Sequence, residues 1–188
     1  MAKNTKDKRF QKTEDAIFRA LLQLTKTQKY LYALRPCAVC KKAKISRSTF
    51  SRHYKNLNDV FRQKDREMLQ DFSKINFKNS SQEEVWQKTL FFIQRYHGIF
   101  EARHRQADYQ FFIIILKKLS HKITLSWTRY NPKITHQIFG LFYAETLGVL
   151  NLWISSGMKT VAIPKTAKLL ARLTLTTDKR WLKILQMQ

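Results

Sequence analysis

Glycine is nearly absent, with four in 188 residues, and this removes Gly-rich phosphate loops from consideration. Proline is scarcer still, and Pro36, Pro132 and Pro164 each stand alone at what reads as a helix start or a break. The only cysteines are Cys37 and Cys40, and without a second Cys pair a zinc site lacks ligands. They read as two reduced thiols, with a redox pair or half of a zinc site as the alternative. Long apolar runs are also missing. The longest uncharged stretch of note, Thr146 to Met158, has 13 residues, well short of the ~20 that span a bilayer. The N-terminus has no apolar signal-peptide core, so the expectation is a cytoplasmic protein with no membrane partner.

The scarcest charge is the negative one. Lys and Arg number 36 against 13 Asp and Glu, a formal net charge of +23. At this length the excess favours a polyanionic partner, nucleic acid first. The charge does not locate a site, because 19 basic and 7 acidic residues fall in 1–75 and 17 and 6 in 76–188.

Pattern does what charge cannot. In PCAVCKKAKISRSTFSRHYKNLNDVF, Pro36 to Phe61, a proline suited to a first helical position precedes a short helix over 37–43, with Val39, Cys40 and Ala43 on one face. Lys44 and Ile45 interrupt it, and Ser46 is an N-cap for a second helix. On that helix Phe50 and Tyr54, four apart, share an inward face, which leaves Arg47, Ser48, Ser51 and Arg52 on other faces. Arginine can donate two hydrogen bonds to a guanine edge, and serine or threonine can bond a base or a phosphate. Between Lys41 and Lys55 there are six Lys/Arg residues and no acid. The spacing is that of a helix-turn-helix that binds double-stranded DNA.

Upstream, Thr13 reads as the N-cap of a helix with Glu14 and Asp15 at its positive end and Ile17, Ala20, Leu21 and Leu24 on one face. Residues 1–12 read as a basic, disordered arm. The segment from Thr13 to Phe61 resembles the DNA-binding domain of the TetR family of transcription regulators. The resemblance implies base contacts for Arg47, Ser48 and Arg52, and phosphate contacts for Thr49, His53 and Lys55. The chain departs from the family pattern at Lys44, where a turn glycine is common, at Ser51, usually tyrosine, at Leu57, usually a phosphate-binding lysine, and at Arg35, usually a capping threonine. Lys44 and Ser51 remain in the expected DNA-facing set.

The rest is helical in pattern. A linking helix is expected over 57–75, then the polar break NFKNSSQ, where Ser81 and Glu84 form a capping box. Helices are expected over 82–100, over 108–128 around YQFFIIIL, and over 134–156 with Gly157 as terminator. Gly140, Ala144 and Gly148 form a stripe of small residues beside Leu147, and Ala167, Leu170 and Ala171 lie on an apolar side of a last helix. Together they suggest a four-helix interface between two copies, a homodimer. Domains are therefore expected at 13–56 (DNA binding) and 76–188 (dimerisation and ligand), in an all-α, TetR-like architecture.

The resemblance also implies a pocket for a small-molecule effector in the second domain, with Trp86, Phe92, Tyr96, Phe112, Trp127 and Tyr143 as candidates. Each of these aromatics also suits plain core packing. His97, Glu101 and His104 fall on one helical face with metal-ligand spacing, but Arg103 and Arg105 beside them argue for a solvated helix end. No metal, cofactor or catalytic constellation is expected. The resulting expectation is a homodimeric repressor on a palindromic operator. The alternatives are a sequence-independent nucleic-acid binder and a ligand- or protein-interaction module that has lost DNA recognition.

Overall fold

The computed structural model describes residues 8–28, 33–105, 110–123, 132–158 and 163–173, with backbone alone at 110, 111, 119–123 and 132–143. Every described element is a helix, and no strand occurs among these residues. The chain divides into two compact units between Asp71 and Phe72.

The first unit contains α1 (Lys8–Thr27), α2 (Pro36–Ala43), α3 (Arg47–His53) and most of α4 (Leu57–Ser73). One apolar cluster joins all four: Ile17, Ala20 and Leu21 of α1, Val39 and Cys40 of α2, Phe50 of α3 with Tyr54 after it, and Leu57, Val60 and Phe61 of α4. A helix of seven residues such as α3 is too short to persist in water alone. Burial of Phe50 and Tyr54 supplies what its local hydrogen bonds cannot.

One local feature differs from expectation: α1 begins at Lys8, five residues before Thr13. The Thr13 hydroxyl donates to the Arg9 carbonyl at 3.0 Å, as an interior helical residue does. Phe10 draws this extra turn inward by stacking on His53, with ring centroids 3.9 Å apart. Residues 8–12 of the expected disordered arm are therefore helical, and 1–7 lie outside the described residues. α4 starts at Leu57, where the linking helix is expected to begin. Asn56 Oδ1 accepts the Asp59 amide at 3.0 Å, while Asp59 Oδ2 accepts the Lys55 amide at 3.2 Å, and this reciprocal pair starts the helix.

The second unit contains α5 (Gln82–Arg95), α6 (His97–Arg105), α7 (Gln110–Ile123), α8 (Pro132–Ser155) and α9, residues 163–173. Its core includes Trp86, Leu90, Ile93, Phe100, Phe112, Ile115, Leu116, Leu150, Trp153 and Ile154. The run FFIIIL is helical and lies in α7. The single helix expected over 82–100 is two, because Tyr96 leaves helical dihedrals (φ −104°, ψ 23°). Its carbonyl then accepts the Ile99 and Phe100 amides at 2.9 and 3.3 Å, which starts α6. At the end of α8, Gly157 has φ +76°. The Gly157 amide reaches the Ile154 carbonyl at 2.9 Å and the Met158 amide reaches that of Trp153 at 3.1 Å, the bond pair of a left-handed terminator.

The capping box of α5 forms as its spacing predicts. Glu84 accepts the Ser81 amide at 2.7 Å and the Ser81 hydroxyl accepts the Glu84 amide at 3.3 Å. The Ser81 amide first, then the Ser81 hydroxyl, holds the Glu84 carboxyl below its ordinary value of 4.5, and Lys88 adds a weaker pull. A carboxyl lowered in the folded state stabilises fully above its unfolded value, and that increment disappears as pH falls through the lower folded value. Thermal midpoints from about pH 6 to about pH 3 should therefore fall more steeply in the parent than in Glu84→Gln. Tryptophan fluorescence reads the difference, since all four tryptophans lie beyond residue 85.

Candidate nucleic-acid interface

The candidate interface is built on α3 and the turn before it. Lys44 ends α2 in the left-handed conformation, φ 56° and ψ 45°. Its amide reaches the Lys41 carbonyl at 3.3 Å and the Ile45 amide reaches that of Cys40 at 3.0 Å. A side chain in this conformation costs roughly 1 kcal/mol relative to glycine, and the turn forms nonetheless. Ser46 then caps α3, its hydroxyl accepting the Thr49 amide at 3.0 Å. The same hydroxyl lies 2.8 Å from both the Ser48 and Thr49 hydroxyls.

With Phe50 fully buried, the opposite face of α3 is fixed outward. Arg47, Ser48, Ser51 and Arg52 are all exposed, and offsets of one, four and five make them one continuous row. The Arg47 guanidinium lies 5.7 Å from the Phe50 ring centroid. Arg52 donates to the Thr49 hydroxyl at 3.4 Å, so Thr49, half-buried, serves the helix as well as the surface. Lys44 and Lys55 are exposed at the two ends. Lys41 and Lys42 at the exposed end of α2 extend the cationic surface. They were not singled out from sequence, although the run KKAK was their signal.

His53 is placed otherwise. It is 8% exposed and turned into the unit, with Nδ1 3.6 Å from Glu14 Oε1. It sits under Phe10 and is set to hold α3 rather than a phosphate. The reason is helical register: position 53 follows Phe50 by three and shares its inward face.

Glu14 is a neighbour of this surface that the sequence reading missed. Also 8% exposed, it accepts from Gln63 Nε2 at 2.7 Å and acts electrostatically on the Tyr54 hydroxyl. Gln63 also reaches Glu67 at 3.3 Å, and Lys64 bridges Glu67 at 2.8 Å and Asp15 at 3.5 Å. Burial, and after it the charges of Glu14 and Glu67, push the Tyr54 hydroxyl far above the ordinary tyrosine value. A polar seam thus ties α1, the end of α3 and α4 together directly behind the cationic row. Its signal was legible, because Glu14 falls three and seven residues before Ile17 and Leu21 and so shares their buried face. Beside the seam lies a polar groove of about 670 Å³ whose lining includes Arg52, Lys55 and Arg66.

In the second unit, Trp86 and Phe112 are enclosed in the core. Phe92 stacks between Phe72 and Tyr96, 5.0 Å from each. These four aromatics from the expected ligand set act as packing. Trp127 and the side chain of Tyr143 lie outside the described residues. Glu101, in the metal-spaced set, lies 3.6 Å from Arg105, and no metal-ligating cluster occurs among the described residues.

Of the small-residue stripe on α8, Ala144 and Gly148 are exposed and Leu147 is half-buried, while Gly140 is described by its helical backbone alone. Open space surrounds Gly148, where an added Cβ would meet nothing within 4 Å. On α9, Ala167, Leu170 and Ala171, expected at an interface between two copies, are buried within their own unit. The register that buries them turns Leu169 outward, 49% exposed, towards the flank of Leu152, 73% exposed. Leu152 continues the line of Ala144 and Gly148 at intervals of four. With Val149, Trp153, Lys165 and Lys168, these leucines line a groove of about 640 Å³ between α8 and α9.

No helix among the described residues is long and apolar enough to cross a membrane. No family model and no curated protein sequence matches this chain.

Proposed function

We propose that the chain is a TetR-like transcription regulator, a cytoplasmic repressor that binds a palindromic operator in double-stranded DNA as a homodimer. The observation that carries this reading is the single outward row Arg47, Ser48, Ser51 and Arg52 on a capped helix, backed by a closed core and flanked by unopposed lysines. In this reading α3 enters a major groove while α2 and its lysines cross the phosphate backbone. The exposed line Ala144, Gly148 and Leu152, with Leu169, is where the second copy docks. Two copies related by a two-fold axis address two half-sites about one DNA turn apart. A small-molecule effector would act by preferring one spacing of the two recognition helices, shifting operator affinity by its differential affinity for the two states.

A second reading, sequence-independent binding, is favoured by one observation. Leu57 is buried at the start of α4, so the phosphate contact that a lysine there would give is replaced by core packing, and more of the affinity falls to general positive charge. One experiment separates the two: selection of bound fragments from a random duplex library at about 150 mM salt, where nonspecific binding is weakened. The parent should enrich a palindrome. Arg47→Ala/Arg52→Ala should lose it, at about 1–3 kcal/mol of discrimination per arginine, with unchanged helicity. Equal recovery of all sequences by both proteins would establish the second reading, and no recovery by either would leave an interaction module without DNA recognition.

A further inference from the structure

Cys37 and Cys40 play no part in the proposed function, yet α2 presents them unequally. Cys37, the second residue of the helix, is exposed, and Cys40, one turn later, is buried in the core cluster. We infer that the pair is a dithiol–disulfide exchange site, with Cys37 as the attacking thiol and Cys40 as the resolving one, and low-molecular-weight disulfides as its substrate class.

The backbone permits the bridge. Residues three apart in a helix have Cα atoms about 5 Å apart, inside the roughly 4.4–6.8 Å that disulfides span. Their Cβ atoms, about 5–6 Å apart, must close by a further ångström or more. The bridge falls in the first turn of α2, where a helix frays most readily. Pro36 has no N–H to lose there, and the Ala38 amide reaches the Arg35 carbonyl at 3.0 Å. Approach is directional too: a small disulfide meets Cys37 and is screened from Cys40. Arg35 and Lys41, both exposed beside Cys37, suit a disulfide that carries carboxylates.

The chemistry balances. The Cys37 thiolate attacks one sulfur of the small disulfide, the S–S bond breaks, and one small thiolate leaves, giving a mixed disulfide on Cys37. The Cys40 thiolate then attacks the Cys37 sulfur and expels the second small thiolate. The protein dithiol is oxidised by two electrons, the small disulfide is reduced to two thiols, and the two protons from the cysteines end on the released thiols.

The test uses the full chain and oxidised glutathione, followed by intact mass and by alkylation of remaining thiols, with no DNA present. The reading of DNA binding can therefore fail without touching this result. The parent should lose both free thiols and two hydrogens of mass. Cys40→Ala, which keeps the core apolar, should stop at a stable mixed disulfide on Cys37. Native Cys37→Ser should react at least about tenfold more slowly than the parent, through its screened thiol. A stable mixed disulfide on the parent, or Cys40 reacting in Cys37→Ser as fast as Cys37 does in Cys40→Ala, would overturn the assignment. So would a native parent left unmodified under conditions that oxidise the urea-unfolded chain.

Discussion

Phe50→Ala is expected to cost the first unit about 3–5 kcal/mol, most of what a unit of this size holds, on the order of 5 kcal/mol. Phe50 is fully buried where α1, α2 and α4 converge, and seven residues of α3 depend on it. Removing the ring leaves a cavity that three other helices cannot fill without moving. The two units can be read separately, because residues 1–71 contain no tryptophan. Urea titration followed by far-ultraviolet circular dichroism should show an early transition in the variant, while the tryptophan-monitored transition stays in place. A single unshifted transition by both probes would show that α3 does not depend on this ring.

Glu14→Ala should destabilise the same unit by about 3 kcal/mol, although it removes a charged side chain from an apolar neighbourhood. The carboxylate accepts from Gln63, interacts with the Tyr54 hydroxyl and faces the His53 ring. Without it, these groups lose an interaction inside the unit, and that cost exceeds the gain from removing a buried charge. Glu14→Gln keeps an acceptor oxygen and should lose less. Tyrosine ionisation followed by absorbance gives an independent check. In Glu14→Ala one tyrosine should ionise at lower pH than in the parent, though still above the ordinary value, because burial, the larger cause of its shift, remains.

The pair α2 and α3 was readable as two helices because its signals are local. Ser46 caps the amide three residues on, and Phe50 and Tyr54 repeat at a helical interval. The Ser81–Glu84 box and the Gly157 terminator were readable for the same reason. What was not readable is tertiary. Nothing near His53 in the chain shows that Phe10 and Glu14, some forty residues earlier, enclose it. The side of α9 that faces inward was equally hidden, since Ala167, Leu170 and Ala171 look as suitable for a partner's helix as for their own core. Only the packing of α8 settles that Leu169 and Leu152 are the outward pair. The break at Tyr96 had no proline or cap to announce it, and Gly98, two residues on, lies inside the next helix.

The brevity of α3 has a consequence for how the cationic row behaves in time. Seven residues capped at one end and nailed by Phe50 and Tyr54 have no free-standing helical state to relax into. The row therefore exists in full or not at all: its bonded amides, from Thr49 on, should exchange with solvent only when the unit opens as a whole. In the proposed function, Arg47, Ser48, Ser51 and Arg52 then reach DNA on a backbone already aligned, and the entropy of ordering that backbone is spent during folding rather than at the moment of binding.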